Sequence, residues 1–352
     1  MEKYALMAAA FGALAITAAS GLLIIPALRR LHYGQTIKEI GPTWHQGKNG
    51  TPTMGGLTFY LGVLVGVVLG YTVLALSVPS LLGGWLSGTS VSLFIGVLTA
   101  YAFGLVGFVD DYIKVVKKRN LGLIWWQKVV AQVVISLAFS WYCYRNPMVG
   151  SSVIVPFFNV EWDLGVFYVP LMTLAMIFMV NSANLQDGLD GLLSSVSVIG
   201  SSAWGLIAVF VTLAGASVLT PETMGNYQHL AIFAMALAGG CMGFLRFNHY
   251  PALVFMGDTG SMFIGGAMVG MSMLLRMPIY WLLICFTMFA SSMSVIIQRI
   301  YFKATHGKRI FKMSPIHHHF ELSGMTEQQI VAMYSIVEGL LCLISLFSLP
   351  LN

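Results

Sequence analysis

Residues 4–28 read YALMAAAFGALAITAASGLLIIPAL and carry no charged side chain. A helix crossing the hydrocarbon of a bilayer needs about 20 apolar residues. The apolar part of a cleavable secretory signal is only about 7–15 residues long. The stretch is therefore an anchor. Arg29, Arg30, Lys38 and Lys48 follow it, and Lys3 alone precedes it. Basic residues stay on the cytoplasmic side of a membrane, so the N-terminus faces outward.

Nine further stretches are long and apolar enough to cross or nearly cross: 57–78, 90–109, 124–144, 166–182, 193–215, 230–247, 261–276, 278–300 and 330–349. With ten spans alternating from an external N-terminus, the cytoplasmic loops collect 15 of the 18 lysines and arginines. Only Lys3, Arg145 and Arg276 fall outside. That asymmetry supports the span count and the orientation together, and it puts both termini on the non-cytoplasmic side. The outer loops 79–90 and 216–229 are nearly uncharged, and 145–165 reads as a short extended hairpin. No internal repeat is visible. The expectation is an all-α integral membrane protein of about ten helices, with residues 1–352 forming a single polytopic domain.

Composition agrees. The chain has 352 residues, 57 % hydrophobic and 9 % charged, with a mean hydropathy of +0.82. A soluble domain is about 45–50 % apolar and about 25 % charged. This excludes a soluble enzyme, a disordered chain and a nucleic-acid module; the formal charge of +5 is a topology signal. Cys143, Cys241, Cys285 and Cys342 sit inside apolar runs without C-x-x-C spacing, so they make neither a disulfide framework nor a zinc site.

Chemistry collects at one membrane face. Of six aspartates, five (Asp110, Asp111, Asp187, Asp190 and Asp258) lie at cytoplasmic span ends on three different loops. Carboxylates beside hydrocarbon are costly and face a cavity or a cation. In GFVDDYIK, 107–114, the adjacent Asp110 and Asp111 repel unless a cation neutralises them, and Lys114 lies on the same helical face as Asp111. A solvated helix end with an ion pair is the plainer reading. In the segment 181–191, Asn181, Asn184, Asp187 and Asp190 recur every three residues. On a tight helical turn they form one polar stripe, with Gly188 and Gly191 allowing turns or close approach; an ordinary loop is the alternative. Residues 247–261 include Asn248 and Phe255 and end in Gly-Asp-Thr-Gly-Ser just before a span. Such a turn offers amides to anionic oxygens and a carboxylate to a hard cation such as Mg²⁺, or else it is an N-cap built on Thr259 or Ser261.

Two more stretches complete the set. His317, His318 and His319 lie beside Lys308, Arg309 and Lys312. Two of the histidines can reach one zinc ion from a loop, or the run contacts phosphates, with unequal roles because three adjacent side chains cannot all point inward. Structural zinc wants about four N or S ligands, and the cysteines are at membrane depth, so phosphate is the expectation. Residues 48–56, from Lys48 through Thr53 to Gly56, suit an anion or a polar headgroup, although the Walker A ending is absent. Hard-cation carboxylates, lysines, histidines and glycine turns together are the equipment of phosphoryl transfer. Ten spans imply that one substrate is a lipid. A cation-coupled transporter would need polar residues on both sides of the barrier, and the outer side has almost none. Glu338, near the middle of the last span, is expected to be neutral or hydrogen-bonded to a neighbouring helix or subunit.

GTPTMGG at 50–56, GFVDDYIK at 107–114, NLQDGLDG at 184–191, FMGDTGS at 255–261 and MSPIHHHFE at 313–321 resemble, in order, the motifs of the MraY family of phospho-N-acetylmuramoyl-pentapeptide transferases, in the polyprenyl-phosphate N-acetylhexosamine-1-phosphate transferase superfamily. The resemblance runs from about Arg30 to Glu327. It implies Mg²⁺-dependent transfer of phospho-MurNAc-pentapeptide from UDP-MurNAc-pentapeptide to the membrane lipid undecaprenyl phosphate, in the bacterial plasma membrane and often by a homodimer. Lipid I and UMP are the implied products. By motif, Asp258 would hold Mg²⁺, and Asp110 and Asp111 would lie beside it, one acting on the lipid phosphate. Lys48, Asp190, Asn248 and Phe255 would bind uridine. Asn181, Asp187 and His317, His318 and His319 would line the rest of the donor site, Thr53 and Gln298 would sit nearby, and Lys114 and Lys128 would supply positive charge. A relative that transfers N-acetylglucosamine-1-phosphate to a polyprenyl phosphate is the nearest alternative.

Overall fold

A computed structural model describes residues 2–30, 50–77, 88–117, 122–158, 160–215, 217 and 219–349. Its long helices are α1 (Glu2–Arg30), α2 (Leu57–Ser77), α3 (Gly88–Val116), α4 (Trp125–Arg145), α5 (Tyr168–Gln186), α6 (Leu192–Ala214), α7 (Pro221–Asn248) and α8 (Gly257–Leu274). A short α9 (Trp281–Ile284) leads into α10 (Phe286–Ala304), followed by the six-residue α11 (Ile316–Glu321) and by α12 (Glu327–Phe347).

A helix stands at each of the ten expected segments. Among the described residues, α1, α2, α3, α5, α6, α7 and α12 are long and apolar enough to cross a membrane. The helical turn 278–284 and α10, bent by 87° at their junction, make an eighth crossing if they are one span. Two helices fall short of that apolarity. In α4 the cause is Gln127, Lys128 and Gln132; in α8 it is Asp258 and a run of glycines. α4 still exposes an apolar face that includes Val130, Val134, Leu137 and Trp141, whereas α8 is enclosed by protein. In α8 every residue from Thr259 to Leu274 is buried, with α3, α5 and α7 packed around it.

Small residues permit that enclosure, as close backbone approach between membrane helices requires. A Cβ on Gly107 of α3 would strike the carbonyl of Asp258, and one on Gly265 of α8 would meet Val180 of α5 at 2.7 Å. Aromatic rings fill the layer beneath: Phe59, Tyr60 and Tyr101 all pack on Phe263, with ring centroids 5.7, 4.9 and 5.0 Å from it.

At the other end of the bundle, 145–165 forms the expected hairpin. β1 (Ser152–Val155) and β2 (Val160–Asp163) pair antiparallel, with Ser152 opposite Asp163. Asp163 Oδ1 accepts from Ser151 Oγ (2.6 Å) and from the Gly165 amide (2.9 Å), which holds this exposed carboxyl below its ordinary pKa. An Arg276–Glu161 ion pair and the Ile154 N–H to Arg276 carbonyl bond (2.9 Å) tie the hairpin to the end of α8.

Candidate functional site

The ends of α3, α5 and α7 and the starts of α4 and α8 meet at the end opposite the hairpin. Three carboxylates come together there: Asp110, Asp111 and Asp258 each place an oxygen within 4.8 Å of the others. Asp258 Oδ2 lies 2.8 Å from Lys128 Nζ of α4 and 3.1 Å from Lys114 Nζ of α3. Lys114 also reaches Asp110 Oδ2 at 2.6 Å and Asp111 Oδ1 at 3.5 Å. Lysine i+4 and i+3 from the two aspartates lies on their face of the helix. Three negative charges thus face two positive ones, which leaves a formal −1 in a largely buried space.

The two adjacent aspartates do different jobs. Asp111 Oδ2 accepts both the Thr259 amide (2.9 Å) and the Thr259 hydroxyl (2.8 Å). α8 has no side-chain cap of its own, and a free first-turn amide attracts an anion. Asp111 is therefore the cap of α8, supplied by α3. The capping expected of Thr259 or Ser261 is not what occurs: Thr259 donates outward, and Ser261 Oγ donates back to the Gly257 carbonyl at 3.0 Å. Asp110 Oδ1 accepts the Leu123 amide (2.8 Å), fixing the entry to α4. Its other oxygen faces Lys114.

Gly257 opens α8 with φ +74. A Cβ there would meet Asp111 Oδ2 at 2.5 Å and Thr53 Oγ1 at 2.8 Å, so Thr53 lies at the cluster. Backbone bonds hold it there: the amides of Gly55 and Gly56 donate to the carbonyls of Phe255 and Met256, and the Phe255 amide donates to that of Pro52. Lys48 lies outside the described residues.

The three-residue stripe on 181–190 does not stay one stripe, because α5 ends at Gln186 and the last two members leave the helix. Asn181 pairs with Gln132 of α4, its Nδ2 donating to Oε1 at 2.8 Å. Asn184 Nδ2 donates to Asp258 Oδ1 at 2.7 Å and to Ser261 Oγ at 2.9 Å. Asp187, half-buried, is crowded by protein and by Asp258, Asp111 and Asp190, and its pKa is pushed up to about 8. Asp190 Oδ2 accepts the Ala252 amide at 2.9 Å. Gly191 has φ +76 and makes the turn. Gly188 serves close approach instead: its missing Cβ makes room for the ring of His317.

Asn248 is buried and spends its amide inside the protein. It accepts from Ser194 Oγ (2.8 Å) and donates to the Val254 carbonyl (3.0 Å). Together with Asp190 it braces the turn that presents Phe255, itself half-buried. Gln298 likewise braces a loop. Its Oε1 accepts the amides of Ile310 and Phe311 at 3.1 and 3.0 Å, and its Nε2 donates to the Phe311 carbonyl at 3.0 Å.

The histidines stand on the short helix α11 rather than on a loop. They point differently. His317 is buried against Gly188. His318 Nδ1 lies 2.6 Å from Glu321 Oε2. His319 Nδ1 accepts the Lys312 amide at 3.1 Å. The four cysteines are buried within or between the helices, away from this segment.

Asn184 and Ser261 belong to the polar stripe and the turn visible in the sequence without being among its candidate site residues, and Gln132 belongs to neither. For Asn184 the three-residue spacing was the available signal. For Gln132 only its polarity within an apolar run pointed inward.

Three carboxylates with lysine counter-ions at one end of a bundle of membrane-length helices are the equipment of a membrane-bound phosphoryl transferase. The family model described as glycosyl transferase family 4 matches residues 93–276. Similar proteins include the phospho-N-acetylmuramoyl-pentapeptide-transferases of Heliobacterium modesticaldum, 45 % identical over 90 % of each chain, and of Clostridium novyi, 40 % identical over 96 % of this chain and 94 % of that one. The Clostridium botulinum protein of the same name is 39 % identical over 94 % and 92 %. The chain belongs to the phospho-N-acetylmuramoyl-pentapeptide transferase family.

Proposed function

We propose that this chain transfers phospho-MurNAc-pentapeptide from UDP-MurNAc-pentapeptide to undecaprenyl phosphate, releasing UMP and forming lipid I for peptidoglycan synthesis. Family membership supports the reaction, and the three-carboxylate, two-lysine cluster is the observation that carries the site. A phosphate oxygen of the lipid attacks the phosphorus next to the sugar. A new P–O bond forms, the pyrophosphate P–O bond breaks, and UMP leaves with that electron pair. Asp111 spends Oδ2 on the cap of α8 and Asp110 spends Oδ1 on the Leu123 amide, and each turns its other oxygen toward Lys114, so one of the two adjacent carboxylates orients the lipid phosphate.

The donor set fits a hard cation: three carboxylates, all oxygen, within 4.8 Å of one another. Asp258, with Asp110 and Asp111 beside it, would hold Mg²⁺, which when bound supplies charge neutralisation for the pyrophosphate. Lys114 and Lys128 would supply positive charge to the phosphate oxygens. Phe255 stacks on the uracil ring, on the turn that Asp190 and Asn248 brace, and on the family resemblance Lys48 binds the same uridine. Asp187, Asn181, Thr53 and the histidines line the sugar-phosphate side, with Gln298 acting through the loop it braces. Charge asymmetry supports placing this end of the bundle in the cytoplasm of a bacterial inner membrane, with both termini outside. On the family resemblance, the working unit is a homodimer of single-domain chains.

The test is UMP release by the purified protein from UDP-MurNAc-pentapeptide, with and without undecaprenyl phosphate and with Mg²⁺ or chelator. UMP release that needs both the lipid and Mg²⁺ is expected. Activity with UDP-N-acetylglucosamine in place of the muramoyl donor would overturn the substrate assignment.

A further inference from the structure

Glu338 is fully buried in the middle of α12, and it is not part of the carboxylate cluster. Its Oε2 accepts the backbone amide of Thr287 at 3.0 Å. Its Oε1 has no hydrogen-bond partner among the described residues. Thr287 is the second residue of α10, immediately past the 87° bend at Cys285. A break of that kind frees first-turn amides, and inside a membrane each must find an acceptor. Glu338 is that acceptor. The Thr287 hydroxyl accepts from Gln186 Nε2 at 2.9 Å, and Gln186, fully buried, is the last residue of α5. The next residue is Asp187.

α10 also holds the histidine helix, α11. Ser294 Oγ of α10 accepts the amide of Ile316, the first residue of α11, at 2.9 Å. Gln298 of α10 holds Ile310 and Phe311. His317 then packs on Gly188, one residue beyond Asp187. A closed circuit results: Glu338 fixes the start of α10, α10 fixes the end of α5 through Thr287 and Gln186, and α10 also fixes α11, whose His317 returns to the turn after α5.

We propose that Glu338 is a positioning residue for the donor site, setting the α9–α10 elbow so that the Asp187 turn and His317 stand in register. This rests on the reading of Asp187 and His317 as donor-binding groups. What matters is an acceptor oxygen at this depth, so Glu338→Gln retains function and Glu338→Leu does not. Thr287→Val keeps the capped amide and removes the hydroxyl that Gln186 reaches.

The test is steady-state kinetics of purified variants against both substrates, with folded yield from size exclusion. Glu338→Leu and Thr287→Val should each raise KM for UDP-MurNAc-pentapeptide by about tenfold while KM for undecaprenyl phosphate stays near wild type, and Glu338→Gln should remain within about threefold throughout. The double variant should be no worse than the more damaged single one, because both act on one circuit. Wild-type donor KM in a well-folded Glu338→Leu protein would overturn the proposal, as would equal damage from Glu338→Gln. If Glu338→Leu yields no folded protein, an unchanged donor KM in Thr287→Val overturns it. Asp187→Asn separates the two readings. A raised donor KM there with Glu338→Leu silent overturns the elbow, whereas a silent Asp187→Asn with Glu338→Leu damaged supports the elbow and removes Asp187 from the donor site.

Discussion

Replacing Asp258 by Asn removes one unit of charge and leaves the shape. The cluster then holds two carboxylates and two lysines, formally zero instead of −1, and a divalent cation loses the net attraction that would draw it in. One unit charge about 4 Å from another is worth about 4 kcal/mol at an effective dielectric of 20. That is about three orders of magnitude in rate. Folding should be much less affected. The amide at 258 keeps one acceptor oxygen for the two lysines, Asn184 retains its bond to Ser261 Oγ, and both lysines are partly open to solvent, with side chains 33 % and 18 % exposed. The assay is UMP release at saturating undecaprenyl phosphate across a Mg²⁺ titration, with thermal unfolding measured in the same detergent. The expected result is a turnover loss near 10³-fold, partly recovered at high Mg²⁺, with a melting temperature within a few degrees of wild type. Turnover within fivefold at ordinary Mg²⁺ would refute the reasoning, because the cluster would then not need its third carboxylate.

Three other perturbations follow from the same geometry. Gly107→Ala drives a Cβ into the Asp258 carbonyl, where no flexible side chain can yield; a loss of stability of about 3 kcal/mol is expected, read as a collapse in folded yield or melting temperature. Gly188→Ala meets His317 Nε2 at 2.5 Å, and the ring must move, so donor KM should rise about tenfold while the protein stays folded; unchanged KM would show that His317 does not touch the donor. Asp187 has a folded pKa of about 8 against an unfolded value of about 4. Its neutral form therefore contributes stability that is fully present below pH 4 and lost as pH rises through about 8. Asp187→Asn should accordingly gain on wild type in melting temperature between pH 5 and 9 without added metal, and a constant difference across that range would contradict it.

Much of this was legible in the chain. Hydropathy located every long helix, and the hairpin at 145–165 was visible as a polar interruption with Pro156, Asn159 and Asp163. Five aspartates at one membrane face implied convergence, and Asp110, Asp111 and Asp258 do converge. The division of labour among them was not legible. Asp111 caps a helix that begins 146 positions later in the chain, and no local pattern encodes a cap donated from another helix. The resemblance placed Asn248 at the uridine and Gln298 nearby; that both also brace loops is visible only from their partners in space. Glu338 was an anomaly in one dimension because its partner amide is freed by a bend at Cys285, a tertiary feature with no proline or glycine to announce it.

The enclosure of α8 bears on how the protein is made. A segment with an aspartate in its first turn and glycine at 257, 260, 265, 266 and 270 gains little from lipid, and a translocon testing it alone has weak grounds to release it sideways. Its affinity is for protein: the groove between α3 and α5, and the face of α7. All three are synthesised earlier. Chain order thus supplies the receptacle before its occupant, and the helix bearing Asp258 enters the bilayer as a guest of helices already there. Biogenesis and catalysis consequently depend on the same glycine contacts, so a substitution that widens the α3–α8 seam acts first as an assembly defect, before any substrate is met.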